Sequence, residues 1–420
     1  MDNGRAPHIF PRMSNETDVI IAGGGLNGTA LAVALASSGL RVTLVEPRAA
    51  ETRESDAFDG RSYALSLGSQ RLLKALDLWA AVAETTQPIL DIKITDGKPG
   101  GPPSPMVLEF DHAEIEEGPM GHMVEDRYLR RALLAAVAAS DRITAVTGHT
   151  IEDHRATASG VMATLEDGTE LVARLLVGCD GKTSATATRA GIKRQGWSYG
   201  QTSLVCAIAH EKPHHGCAHQ YFMPAGPLAI LPLKDNRSSI VWTEADAAAQ
   251  EINARDDAGY LEALHPRFGD FLGEISLAGA RCTYPLAVAL AERFVGDRVA
   301  LVGDAAHAVH PIAGQGLNAG LKDVAALAEV LTDARRRGED IGRADVLGRY
   351  QQWRRFDTAT LALATDGFNR LFSNDNPLLR LGRDIGLGVV NAVPGLRRGF
   401  IREAAGLTGD VPRLNRGLPL

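Results

Sequence analysis

The stretch DVIIAGGGLNGTALAVALASSGLRVTLVE, residues 18–46, decides the fold. Its first five residues are mostly apolar and β-branched, the composition of a strand buried on both faces of a parallel sheet. A glycine cluster follows at once. Residues 29–38 are rich in Ala and Leu and read as a helix ending at Gly39, and residues 41–46 read as a second strand. Strand, helix and strand within about 30 residues make a βαβ unit. Gly23, Gly25 and Gly28 satisfy G-x-G-x-x-G at its strand-to-helix junction. Gly23 permits the tight turn, Gly25 lets the backbone through Leu26 and Asn27 approach a pyrophosphate, and Gly28 lets helix and strand pack closely. The helix start offers N–H groups and a positive dipole end to the phosphates. Glu46 stands 18 residues after Gly28, where a carboxylate accepts from ribose hydroxyls and repels a 2′-phosphate. The loop therefore suits FAD or NAD, and it does not separate the two.

A second glycine-rich stretch, RVALVGDAAHAVHPIAGQGLNAGLKD at residues 298–323, bears on that choice. A strand runs into Gly303-Asp304, then a loop of small residues, then a helix beginning near Leu317. Asp304 can accept from ribityl hydroxyls, and Gly314 and Gly316 permit close backbone approach. The amides of Gly316, Leu317 and Asn318 open a helix whose dipole can stabilise negative charge on a reduced flavin. Two such contacts suit an extended cofactor such as FAD.

The remainder sets the frame. At 420 residues the chain calls for two or three folding units. Lys and Arg number 44 against 51 Asp and Glu, and the net charge of −7 argues against a general nucleic-acid binder. The four cysteines show no C-x-x-C pair, so neither a zinc nor a redox motif is expected. The first seventeen residues lack the apolar core of a signal peptide, and no uninterrupted apolar run approaches the ~18 residues of a membrane span, so a cytoplasmic protein is expected. Residues 69–79 and 125–139 carry helical periodicity. Residues 143–179 and 197–285 alternate as strands, and helices dominate from Leu317 onward.

These readings give an α/β fold: a Rossmann-like FAD-binding domain with an inserted, mostly β substrate domain and a helical C-terminal region. The expected boundaries are 16–80, 123–196 and 285–364 for the FAD-binding domain, 81–122 and 197–284 for the β domain, and 365–420 for the helical region.

The second stretch also carries a resemblance. Gly303-Asp304 is similar to the second FAD motif of the flavoprotein hydroxylases with the para-hydroxybenzoate hydroxylase fold. The run 310–318 (HPIAGQGLN), with Gly320 and Asp323, resembles the signature of the ubiquinone-biosynthesis hydroxylases of the UbiH/UbiF/VisC type. Residues 60–66 (GRSYALS), 124–129 (VEDRYL), 179–184 (CDGKTS) and 365–372 (TDGFNRLF) are similar to further segments of that family. There is one departure: the family's D-G segment continues to an arginine at the position of Ala187, and here an arginine appears only at Arg189.

The resemblance implies that Arg61, Arg127 and Asp180 contact or border the flavin. It implies an FAD-dependent aromatic-ring monooxygenase that uses NAD(P)H as reductant and O2 as co-substrate, acting through a flavin hydroperoxide on a polyprenylphenol. No residue is assigned a catalytic role outright. His310, next to Pro311, is read as shaping the substrate side of the flavin, with an acid–base role as the alternative. His307 and His310 have a metal-like spacing but no third ligand in view. Tyr221, Phe222, Met223, Pro224 and Leu231 are the candidates to line the substrate pocket. Arg380, Arg383, Arg397, Arg398 and Arg402, set among apolar residues near the C-terminus, suit either an ordinary amphipathic helix or peripheral contact with an anionic membrane. A multiprotein biosynthetic complex is the other partner expected. Two competing readings keep the fold: a flavin-dependent reductase or dehydrogenase, and a non-catalytic flavoprotein subunit.

Overall fold

The computed structural model describes residues 17–53, 56–101, 104–309, 314–372, 386, 388 and 390–420. The βαβ unit forms as the sequence requires. Strand β1 (Val19–Ala22) is buried along its whole length and pairs in parallel with β2 (Val42–Glu46) on one side and β3 (Leu175–Gly178) on the other. Ile143–Thr147 extends the sheet beyond β2, and Val299–Leu301 followed by the antiparallel Val295–Gly296 extends it beyond β3, giving six strands among the described residues. Helix α1 (Leu26–Ser37) begins before the Ala-rich run, because the glycine turn passes straight into helix. It ends where Gly39 takes a φ of 91°. Its other face meets α2 (Asp126–Ala139) and α3 (Gln315–Arg336). Ile20, Ile21, Leu31, Leu35, Val177 and Leu327 are all fully buried here. Each such side chain stabilises by about 1.5–3 kcal/mol, so the core and not the loops fixes where the loops stand.

The second layer is a nine-stranded, largely antiparallel sheet. Its centre is β4 (Arg194–His210), flanked by β7 (Cys282–Ala291) and Arg237–Ala245; β6 (Gly226–Leu233) and β5 (Cys217–Met223) follow. Asp91–Asp96 then joins β5 in parallel and pairs with Leu108–Asp111. Helices Asp246–Asn253 and Asp257–Phe268 cover one face, packing Tyr260 and Phe268 into a core with Trp242 of the sheet. The other face turns toward the FAD-type domain. The strands of this second layer come from residues 91–111, 194–291 and 307–308. Ser62–Ser66, Gly121–Glu125 and Gln87–Ile89 form a three-stranded sheet of their own between the two larger ones.

Helix α4 (Ala344–Phe372) and helix α5 (Pro394–Ala404) make the helical end of the chain. The last residues return to the first domain. Arg413 pairs with Glu329 at 3.0 Å and Asp333 at 2.6 Å, and Asn415 donates to the carbonyl of Gly68. Arg397 and Arg402 pair with Glu114 and Glu117, whereas Arg380 and Arg383 lie outside the described residues.

Candidate active site

The glycine turn is built by exclusion. Gly23 has a φ of 101°, and a Cβ there would stand 2.5 Å from the carbonyl oxygen of Cys179. A Cβ on Gly28 would stand 1.9 Å from the carbonyl oxygen of Gly23. Gly25 differs: it is the residue before α1, and a Cβ there meets nothing within 4 Å. No side chain caps α1, so its first-turn N–H groups face open space. Glu46 is buried beside them and accepts from the Gly24 N–H at 2.7 Å and from Arg48 Nε at 2.7 Å. Burial pushes its carboxyl upward, but Arg48, the Gly24 N–H and Arg53 outweigh that and hold it below the usual carboxylate value.

The start of α3 repeats the pattern. Gly314 adopts the left-handed conformation at φ 63°, and no side chain caps this helix either. Asn318 locks the helix start in place. Its Oδ1 accepts from the Ser66 N–H at 2.9 Å and the Ser69 hydroxyl at 2.7 Å, and its Nδ2 donates to the carbonyl of Ala64 at 2.8 Å. Its side chain is thus a strut, and only the backbone amides of Gly316, Leu317 and Asn318 remain for a ligand.

Both helix starts open on one cavity of about 1480 Å³. Gly25, Leu26, Asn27, Arg61, Asp304, Gly314, Gly316, Leu317 and Asn318 all line it. A smaller cavity of about 160 Å³ adjoins at Gly25, Leu26, Arg61 and Tyr63 and reaches Arg48 and Arg130. Arg61 is held by Asp59 at 2.6 Å and Asp126 at 3.3 Å, so it stands at the junction of the two cavities.

Glu46, with both oxygens engaged, lines neither cavity, and two more of the expected cofactor residues stand back with it. Asp180 spends both carboxylate oxygens on its own loop, accepting from the Ser184 hydroxyl and the Thr186 N–H, while its neighbours Gly181 and Lys182 line the cavity. Arg127 lines neither cavity. It donates to Glu125 and to the carbonyl of Asp56, with its guanidinium stacked near Phe58 and Tyr128.

The far wall is the open face of the nine-stranded sheet. Strand alternation splits the expected pocket residues. Phe222 and Leu231 line the cavity, with Gln220, Ala229 and Val241. Met223 belongs to the core beneath the two helices on the opposite face, and Tyr221 packs against that core. Pro224 sits in the turn between β5 and β6. A two-residue period read along β5 would have separated these residues from sequence alone. His310 and Pro311 lie outside the described residues. His210 and His214 of the histidine-rich loop are tied to Lys212, Ser238 and Leu233.

Two residues quoted in the motifs make contacts that the sequence did not disclose. Asn27 is wedged between Gly303 and Gly320: a Cβ on either glycine would stand 2.4 Å or 2.2 Å from Asn27 Nδ2. Asp323, fully buried, accepts from His307 Nε2, from Arg354 Nε at 2.8 Å and from the Gly303 N–H at 3.0 Å. It thereby pins the turn that carries Asp304.

The residues present fit FAD. Among the described residues Asn27 Oδ1 and Ser62 Oγ are buried without a hydrogen-bond partner, and both residues line the larger cavity. Two uncapped helix starts, Glu46 and Asp304 complete a donor and acceptor set for phosphates, ribose and a ribityl chain.

The FAD binding domain family model (FAD_binding_3) matches residues 16–360. The chain is 44% identical over 406 residues to ubiquinone hydroxylase UbiL of Rhodospirillum rubrum, covering 96% of this chain and 93% of that protein. It is 35% identical over 399 residues to 3-demethoxyubiquinol 3-hydroxylase of Escherichia coli (strain K12), covering 94% and 100%. Among solved structures, p-nitrophenol 4-monooxygenase PnpA from Pseudomonas putida DLL-E4 shares the fold, with a TM-score of 0.77 at 19% identity over 94% of this chain and 99% of that one.

Proposed function

The chain belongs to the FAD-dependent ubiquinone hydroxylases, and from that premise we propose that it hydroxylates the ring of a polyprenylphenol in ubiquinone biosynthesis. One observation carries the reading: two uncapped helix starts and an apolar sheet face share a single large cavity. Bound FAD supplies what no side chain can, accepting electrons from NAD(P)H and activating O2.

The chain's own tasks follow from its geometry. The N–H groups at the start of α1 take the pyrophosphate, and Glu46 takes a ribose. Asp304 takes the ribityl hydroxyls. The amides of Gly316, Leu317 and Asn318 stabilise negative charge on the reduced ring. Phe222, Ala229, Leu231 and Val241 exclude water and present an apolar floor to the substrate ring. His310 and Pro311 are assigned to the substrate side of the flavin on the resemblance of their segment.

The cavity is largely apolar, which suits a prenyl tail. Phe356, Leu371 and Phe400 line it while remaining 76%, 40% and 45% exposed. An apolar rim of this kind suits peripheral contact with a lipid surface. Among the described residues no helix is long and apolar enough to cross a membrane.

The test is turnover with purified, FAD-loaded protein, NADH or NADPH, ¹⁸O2 and a short-chain prenylphenol. Substrate-stimulated NAD(P)H oxidation with one labelled oxygen in the product is expected. Reductant oxidation without labelled product would leave the reductase reading, and an FAD that NAD(P)H never reduces would leave the non-catalytic one.

A further inference from the structure

The arginine that the D-G segment lacks at position 187 has no room there, because Ala187 is fully buried in the core of the first domain. A cation reaches the same loop from elsewhere. Arg194 is the first residue of β4, at the point where the chain leaves the first domain for the nine-stranded sheet, and it is paired with Ala291 of β7. Its Nη1 donates to the carbonyl of Lys182, and its Nη2 donates to the carbonyl of Asp304 at 2.8 Å. Lys182 follows Asp180-Gly181 in the D-G loop, and Asp304 follows Gly303 in the second glycine-rich stretch. Both residues line the large cavity. One guanidinium therefore bridges the two loops, and the carboxylates of Asp180 and Asp304 face its charge. Its Nε is buried with no partner among the described residues.

We propose that Arg194 is a positioning residue for FAD, which clasps the D-G loop to the loop of Asp304 and stands in for the arginine absent at 187. The planar fork of arginine matters here, because two carbonyls on separate loops need two donors at a fixed spacing. A lysine offers one compact ammonium that can satisfy one carbonyl well and the other poorly. Pairing of Arg194 with Ala291 of β7 anchors the clasp in the sheet.

This inference rests on the FAD reading of the cavity. The test is titration of apoprotein with FAD, followed by fluorescence, for wild type, Arg194→Met, Arg194→Lys and the exposed-neighbour control Lys193→Met. Arg194→Met is expected to weaken FAD at least about tenfold, with the melting temperature of the apoprotein unchanged, and to shift the visible band of the flavin that still binds. Arg194→Lys is expected to fall between, and Lys193→Met to match wild type. FAD affinity within twofold of wild type for Arg194→Met would overturn the proposal. So would an apoprotein melting temperature lowered alike by Arg194→Met and Arg194→Lys with no rescue of FAD affinity by lysine, which would mark a merely structural ion. A wild-type apoprotein that takes up no FAD would instead bring down the reading of the cavity itself.

Discussion

His307 Nε2 stands 2.5 Å from Asp323 Oδ2, with both side chains buried and Arg354 Nε closing on the other carboxylate oxygen. Breaking such a pair leaves an uncompensated charge in the interior, which costs about 3–5 kcal/mol. Asp323→Asn is therefore expected to lower the unfolding free energy in urea by about that amount. It should also weaken FAD, because the Gly303 N–H loses its anchor.

The same carboxyl has a pH signature. Burial pushes it upward, but His307 and Arg354 outweigh burial and hold it below its ordinary value of 3.8. A depressed acid pKa contributes stability that is complete above the unfolded value and lost as pH falls through the folded one. Below pH ~4 wild type should lose stability with a steeper slope than Asp323→Asn, as read by denaturation midpoints across that range.

His122 acts in a higher window. Burial is the main cause, with Lys74 adding to it, and together they push the ring down to about 4 from 6.5. The unfolded chain thus takes up a proton between pH 6.5 and 4 that the folded chain refuses, so stability rises with pH across that window. His122 packs edge-on to Trp79 at 4.9 Å. His122→Phe keeps an aromatic ring there, and its melting temperature should fall less than that of wild type between pH 7 and 5.

Gly25 and Gly28 should separate binding from folding. Gly25 has a φ of −64° and empty space where a Cβ would go, so Gly25→Val should leave the apoprotein's melting temperature unchanged while weakening FAD at least about tenfold. Gly28→Ala would drive a methyl into the Gly23 carbonyl and should yield little folded protein. Expression yield, thermal melting and FAD titration read out both variants.

Neighbouring strands offer a second separation. Ala229 faces the cavity between Gln220 and Val241, and Met223 faces the opposite core. Ala229→Phe should raise the KM for the phenol about fivefold or more, equivalent to about 1 kcal/mol, at unchanged stability. Met223→Ala should cost about 2–5 kcal/mol of stability and leave KM alone.

The sequence was most legible where periodicity and glycine chemistry coincide. β1, α1 and β2 stand where residues 18–46 require them, because a buried parallel strand and a glycine turn leave few alternatives. The same logic located α3, which begins at Gln315, two residues before the expected start near Leu317. Legibility failed where several partners, near or far in the chain, compete for one side chain. Arg127 turns to Glu125 and Asp56, Asp180 turns to Ser184 and Thr186, and Arg194 spans two loops; local spacing encodes none of these choices. Tyr221 and Met223 were a different matter, since the alternation that turns them away from Phe222 was present in the residues of β5.

Asn27 occupies the space that methyl groups on Gly303 and Gly320 would need. These three positions, at 27, 303 and 320, are therefore coupled, with an order of change built in. Gly320 does not drift to alanine while asparagine stands at 27, but a smaller residue at 27 frees it, whereas Gly303, at φ 63°, is held to glycine by its backbone as well. Among descendants of this fold, alanine at 320 is expected only in lineages that gave up the asparagine first.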